Sequence, residues 1–88
     1  MGLLDKVVNS MILYGTSACH LCELAEQLLA EMLGDGSLQQ EIELVDIAES
    51  EALVEKYGLR IPVLEYQSKS LDWPFEKQDV LRFCSEMQ

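Results

Sequence analysis

The chain is short of basic residues, of cysteine and of long apolar runs, and each shortage removes a class of function. Six Lys and Arg stand against sixteen Asp and Glu in 88 residues, a net charge of −10. Phosphate contacts supply most nucleic-acid affinity, so a surface this acidic argues against nucleic acid and anionic membranes as partners. No stretch approaches the roughly 18 apolar residues needed to cross a bilayer, and the start of the chain lacks a signal core with a small-residue cleavage site. Met1-Gly2 begins like a myristoylation signal, but Lys6 stands where Ser or Thr is wanted. A soluble, cytoplasmic protein is expected. Three cysteines, an odd number with two of them three apart, do not make a secreted disulfide scaffold. They point to redox chemistry or metal binding. A structural zinc site wants four ligands, and with no second Cys-x-x-Cys the pair has one histidine beside it.

What is present reads as one folded domain over residues 1–88. Hydrophobic residues make up 49% and charged residues 25%, near the average for globular chains. The charge is uneven. Residues 1–55 carry eleven acids and one base, Lys6, whereas residues 56–88 carry five of each sign. An anion-binding surface should therefore use the second half, where Lys56, Arg60 and Lys69 lie.

The apolar patterning alternates between strand and helix. Met11-Ile12-Leu13-Tyr14 is a short buried strand stopped at Gly15-Thr16-Ser17. Leu21, Leu24, Ala25, Leu28, Leu29, Met32 and Leu33 recur at helical spacing, and Gly34-Asp35-Gly36-Ser37 ends that helix. Glu41–Ile47 reads as a second strand. Ser50 is placed to cap a shorter helix carrying Leu53, Val54 and Tyr57, with Gly58 expected in the left-handed region at its end. Ile61–Tyr66 is a third strand with proline at its start, where a cis bond is allowed. Gln67–Ser70 is a turn, Leu71-Asp72-Trp73 a returning strand, and Val80, Leu81, Cys84 and Met87 one face of a last helix. The order is β-α-β-α-β-β-α, an α/β chain. A crossover helix makes the first two strands parallel and a short turn makes the last two antiparallel, giving a mixed four-stranded sheet flanked by helices.

Chemistry concentrates at Cys19-His20-Leu21-Cys22, where the first strand passes into the first helix. Residues three apart are neighbours on a helix and can close a small disulfide ring, while the helix N-terminus offers free N–H groups to a thiolate. That helix end contributes about 0.3–2 kcal/mol in favour of the Cys19 thiolate, with Glu23 opposing it. Cys22 shares the apolar face with Ala25 and Leu29, so Cys19 is the exposed attacker and Cys22 the resolver.

With these residues in place the chain resembles the glutaredoxin branch of the thioredoxin-like superfamily over about residues 11–87. The likeness is closest to short bacterial glutaredoxin-like proteins, through Cys19 to Cys22, Ile61-Pro62 and Trp73-Pro74-Phe75. The resemblance implies a thioredoxin-like fold, a cis Pro62 beside the cysteine pair, and Ile61 offering backbone hydrogen bonds to a bound peptide or glutathione. It implies thiol–disulfide exchange with protein or glutathione mixed disulfides and no bound cofactor, with glutathione or a reductase supplying electrons. The chain departs from the usual pattern at His20-Leu21, which replace Pro-Tyr, and at Thr16, which replaces a lysine. It also lacks the Gly-Gly pair usual after the third and fourth strands, with Leu71-Asp72-Trp73-Pro74 there instead. These departures favour a protein disulfide as substrate.

Other readings stay open beside this one. The same pair could serve a non-catalytic binding module, or a metal or iron–sulfur cluster shared between two copies. His20 is either a tuning residue or inert, and Arg60 either an anion contact or a solvated residue. Cys84 reads as a small core hydrophobe, and Trp73 and Phe75 as core caps. The protein is expected to act as a monomer.

Overall fold

The computed structural model of the chain describes residues 10–86, and its centre is a six-residue apolar strand, β1 (Ser10–Gly15). Side chains on a strand point alternately to opposite faces, so Met11 and Leu13 enter one core and Ile12 and Tyr14 the other. On one side β1 pairs in parallel with β2 (Glu41–Asp46), and on the other it pairs antiparallel with β3 (Val63–Tyr66). A fourth strand, β4 (Lys69–Asp72), pairs antiparallel with β3 and completes the order β2-β1-β3-β4. This is the mixed sheet expected from the sequence.

The helices cover both faces. The β1–β2 crossover is α1 (His20–Gly34), which meets the last helix, α3 (Lys77–Glu86), over the Met11 and Leu13 face. A 3-10 turn at Ile47–Glu49 and then α2 (Glu51–Tyr57) cover the opposite face, where Tyr14, Ile47, Tyr57 and Val63 are buried. A large aliphatic side chain fully removed from water contributes about 1.5–3 kcal/mol, and Met11, Leu29, Val63, Leu64 and Val80 are all buried to within 2%. Ser50 caps α2, its Oγ accepting the Leu53 N–H at 3.3 Å. Among the described residues no helix is long and apolar enough to cross a membrane.

Several local expectations are corrected. The buried stripe of α1 is Cys22, Ala25, Leu29 and Met32, while Leu21, Leu24 and Leu33 stay exposed. A helix laid on a sheet buries a narrow stripe, and α1 has more leucines than the stripe can hold. Gly58 adopts a right-handed conformation at φ −53°. It is needed for space instead: a Cβ there would lie 2.5 Å from the Val54 carbonyl oxygen. The third strand starts at Val63, two residues after the expected Ile61. The hairpin turn is only Gln67-Ser68, both at positive φ, so β4 begins at Lys69. A two-residue hairpin turn with both central residues left-handed usually carries Asn or Gly, which hid this one. In α3 the buried residues are Val80, Phe83 and Cys84; Leu81 is exposed, and Met87 lies outside the described residues.

Candidate redox site

β1 ends at Gly15, and four residues later Cys19 caps α1 from an extended conformation at φ −112°, ψ 105°. Ala18, just before it, turns the chain through the left-handed region at φ 59°. The first backbone donors of a helix have no partner within it, and here Cys19 supplies one. Its Sγ accepts the Cys22 N–H at 3.1 Å, and its carbonyl accepts the Glu23 N–H at 3.1 Å. The sulfurs of Cys19 and Cys22 are bonded to each other, with Cα atoms 5.2 Å apart. Cys22 is 2% exposed and lies among the buried residues of α1, whereas Cys19 is half-buried.

Two features shape the surroundings of the pair. Gly15 faces Cys22 so closely that a Cβ at position 15 would lie 3.0 Å from the Cys22 Sγ. On the β2 side of Cys22 opens a cavity of about 230 Å³, lined in part by Thr16, Ser17, Glu26 and Asp46. In the sequence Gly15 reads only as a strand stop. A glycine ending a strand just ahead of a Cys-x-x-Cys is the signal of close backbone approach that could have found it.

The remaining expected residues fall in two places. Antiparallel pairing of Tyr14 with Val63 brings the buried Pro62 to the Gly15 end of the sheet, the end from which Cys19 projects. The Ile61–Pro62 peptide bond is cis, as is Trp73–Pro74. The Ile61 N–H donates to the Tyr57 carbonyl at 3.1 Å, so a substrate backbone meeting Ile61 would draw on its carbonyl or displace that bond. His20 is exposed at the first position of α1.

Arg60 is held elsewhere. It grips Asp72 with two bonds, Nε at 2.9 Å and Nη2 at 2.7 Å, and donates from Nη2 to Ser70 at 3.2 Å. The Asp72 bond raises its pKa further, and its guanidinium also lies 5.3 Å from the Tyr57 ring centre. An anion reaching Arg60 would compete with a carboxylate already seated there. The sequence does not mark Asp72 and Ser70 as partners of Arg60, because their places on β4 follow from the register that the Gln67-Ser68 turn sets.

Cys84 is buried with its thiol 4.0 Å from the Met11 sulfur, and burial pushes its pKa up. It is a core side chain. Phe75 is buried, and Trp73 packs edge-on against it with ring centres 5.0 Å apart. Among the described residues no group of three or more His, Cys, Asp or Glu is placed to hold a metal ion.

The arrangement matches known proteins at two levels. The sequence profile of the glutaredoxin-like domain (DUF836) matches residues 10–85, nearly all of the described chain. The chain belongs to this glutaredoxin-like family. Among solved structures the chain is similar to the X. campestris protein XcR50, a structural genomics target. Its crystal structure is 31% identical with a TM-score of 0.69, covering 86% of this chain and 96% of that one. Its solution structure gives 32% identity and a TM-score of 0.71, covering 86% and 92%. Thioredoxin 1 of Thermosipho africanus is 14% identical with a TM-score of 0.61, covering 89% of this chain and 92% of that one. That likeness shows the thioredoxin-like fold alone. No curated protein sequence matches the chain. Together, the glutaredoxin-like family, the fold and the bonded Cys19–Cys22 pair identify a redox-type site.

Proposed function

We propose that the chain is a thiol–disulfide oxidoreductase in which Cys19 attacks and Cys22 resolves. One observation carries this reading: the two cysteines are bonded at the N-terminus of α1, the first half-buried at the cap and the second 2% exposed in the helix stripe. The Cys19 thiolate attacks a substrate disulfide, forming a mixed disulfide and releasing one substrate thiolate, which takes a proton from water. Cys22 loses its own proton and attacks the Cys19 sulfur, releasing the second substrate thiol. Two electrons pass to the substrate, and the Cys19–Cys22 disulfide remains.

The substrates favoured here are protein disulfides or glutathione mixed disulfides, with electrons returned by glutathione or a reductase and no bound cofactor. Support for the thiolate comes from the helix end and from the Cys22 N–H on the Cys19 sulfur. The position of Pro62 at the same sheet end suits a wall of the substrate groove, while Ile61 presents backbone beside it. A reducing compartment such as the cytoplasm and a monomeric state fit this role.

The test is a pair of variants assayed with a small disulfide and a glutathionylated protein. Cys19→Ser should reduce turnover to background, and Cys22→Ser should accumulate a mixed disulfide at Cys19. Reduction at the normal rate by Cys19→Ser would overturn the reading, because the chemistry would not then run through this pair, and a wild type no faster than background would leave a binding module. A zinc signal or a visible iron–sulfur chromophore in purified protein, lost in Cys19→Ser, would redirect it to metal binding.

A further inference from the structure

The contact between Gly15 and Cys22 has two parts that respond differently to oxidation. A Cβ at position 15 would lie 3.2 Å from the Cys22 Cβ and 3.0 Å from its Sγ, both inside the separation of about 3.5–4.0 Å at which non-bonded carbons attract. The place of the Cys22 Cβ is set by the backbone of α1 and does not depend on the side-chain torsion χ1. The Sγ is held toward Gly15 while it is bonded to Cys19. As a free thiol it can turn about χ1 to the other staggered position open to a helical residue. The cavity of about 230 Å³ that Cys22 lines leaves room for that turn.

We propose that Gly15 is a positioning residue for the redox pair: its missing side chain makes room for the Cys22 sulfur in the disulfide and so favours the oxidised form. This rests on reading the pair as a reversible dithiol. In the exchange that reports on it, the Cys19–Cys22 bond takes up two electrons and two protons from two glutathione thiols, whose sulfurs join as glutathione disulfide. A side chain at position 15 strains the bonded pair more than the reduced pair, so the potential rises.

The experiment equilibrates the wild type and Gly15→Ala across glutathione redox buffers, traps free thiols, and counts them at Cys19 and Cys22 by mass spectrometry. Gly15→Ala should lower the equilibrium constant for disulfide formation about tenfold, which for two electrons is about 30 mV toward a more oxidising potential. Thermal unfolding should show a larger loss of Tm in the oxidised form than in the reduced form. A second comparison guards against a variant that folds poorly: in a Cys22→Ala background, which has no sulfur at that place, Gly15→Ala should lower Tm less than in the oxidised wild-type pair. An unchanged equilibrium constant, or equal losses with and without the Cys22 sulfur, overturns the proposal. A wild-type pair that never forms a disulfide in these buffers overturns the parent reading instead.

Discussion

Tyr14 and Tyr57 stack at 4.3 Å between ring centres and share one carboxylate, Glu65, at 3.3 and 3.0 Å from their hydroxyls. Burial, reinforced by the Glu65 charge, pushes the Tyr14 pKa up from 10.0 to about 12. The folded state thus prefers the neutral phenol more than the unfolded chain does. The resulting stability is complete below pH 10 and drains away as pH rises from 10 toward 12. In Tyr14→Phe this part of the alkaline loss should disappear, leaving the part due to Tyr57, whose pKa burial and Glu65 also raise, at a cost of about 1 kcal/mol near neutrality for the lost hydrogen bond. Denaturant titrations from neutral pH to pH 11 measure both effects; a parallel alkaline loss in the variant would mean that another group titrates. The sequence shows Glu65 simply as a polar residue in an apolar strand. Its partners come from β1 and α2, and nothing local to positions 14, 57 and 65 announces that the sheet stacks them.

At the scale of elements, α1 and α3 are tied by their ends as well as by their apolar stripes. Just past the end of α1, Asp35 accepts the Ser37 N–H at 2.8 Å and the Lys77 ammonium of α3 at 2.9 Å. The Ser37 hydrogen bonds first, and Lys77 second, hold its carboxyl down at about 2 instead of 3.8. A depressed carboxyl stabilises the fold at pH above 3.8, and that contribution is lost as pH falls from there toward 2. Asp35→Asn should therefore weaken the pH dependence of stability across that window, with a small effect at neutral pH because an exposed ion pair is screened by solvent and contributes little. Acid unfolding curves of the two proteins at low salt decide it; superimposable curves would remove Asp35 from the account. Element order was legible because β1, α1, β2 and α2 each carry their own period and stop signal. Tertiary choices were not: which leucines of α1 meet the sheet depends on where α3 and β1 lie, and the Gln67-Ser68 turn has no glycine to mark it. Of the site, the cysteine pair could be read from its spacing at a strand-to-helix junction, whereas the space provided by Gly15 and the capture of Arg60 by Asp72 required coordinates.

Across the whole molecule, charge should choose among substrates before any contact does. The eleven acids and one base of residues 1–55 belong to the part of the chain that contains β1, α1 and both cysteines of the pair. Arg60, the basic residue nearest Pro62 in sequence, is already committed to Asp72. An anionic disulfide such as glutathione disulfide therefore approaches against a repulsive field, and a cationic one such as cystamine approaches along an attractive field. Screening reaches about 30 Å at 0.01 M salt and about 10 Å at 0.1 M, so raising salt between these values removes most of either effect. Stopped-flow rates of oxidation of the reduced protein should rise with salt for glutathione disulfide and fall for cystamine, each by several-fold, while a neutral disulfide changes little. Opposite salt slopes would identify electrostatic selection as a property of the whole domain and favour basic partner proteins. Equal slopes for the two charged disulfides would mean that the local field at Cys19 is balanced despite the net charge of −10. Selection would then have to come from the groove around Pro62.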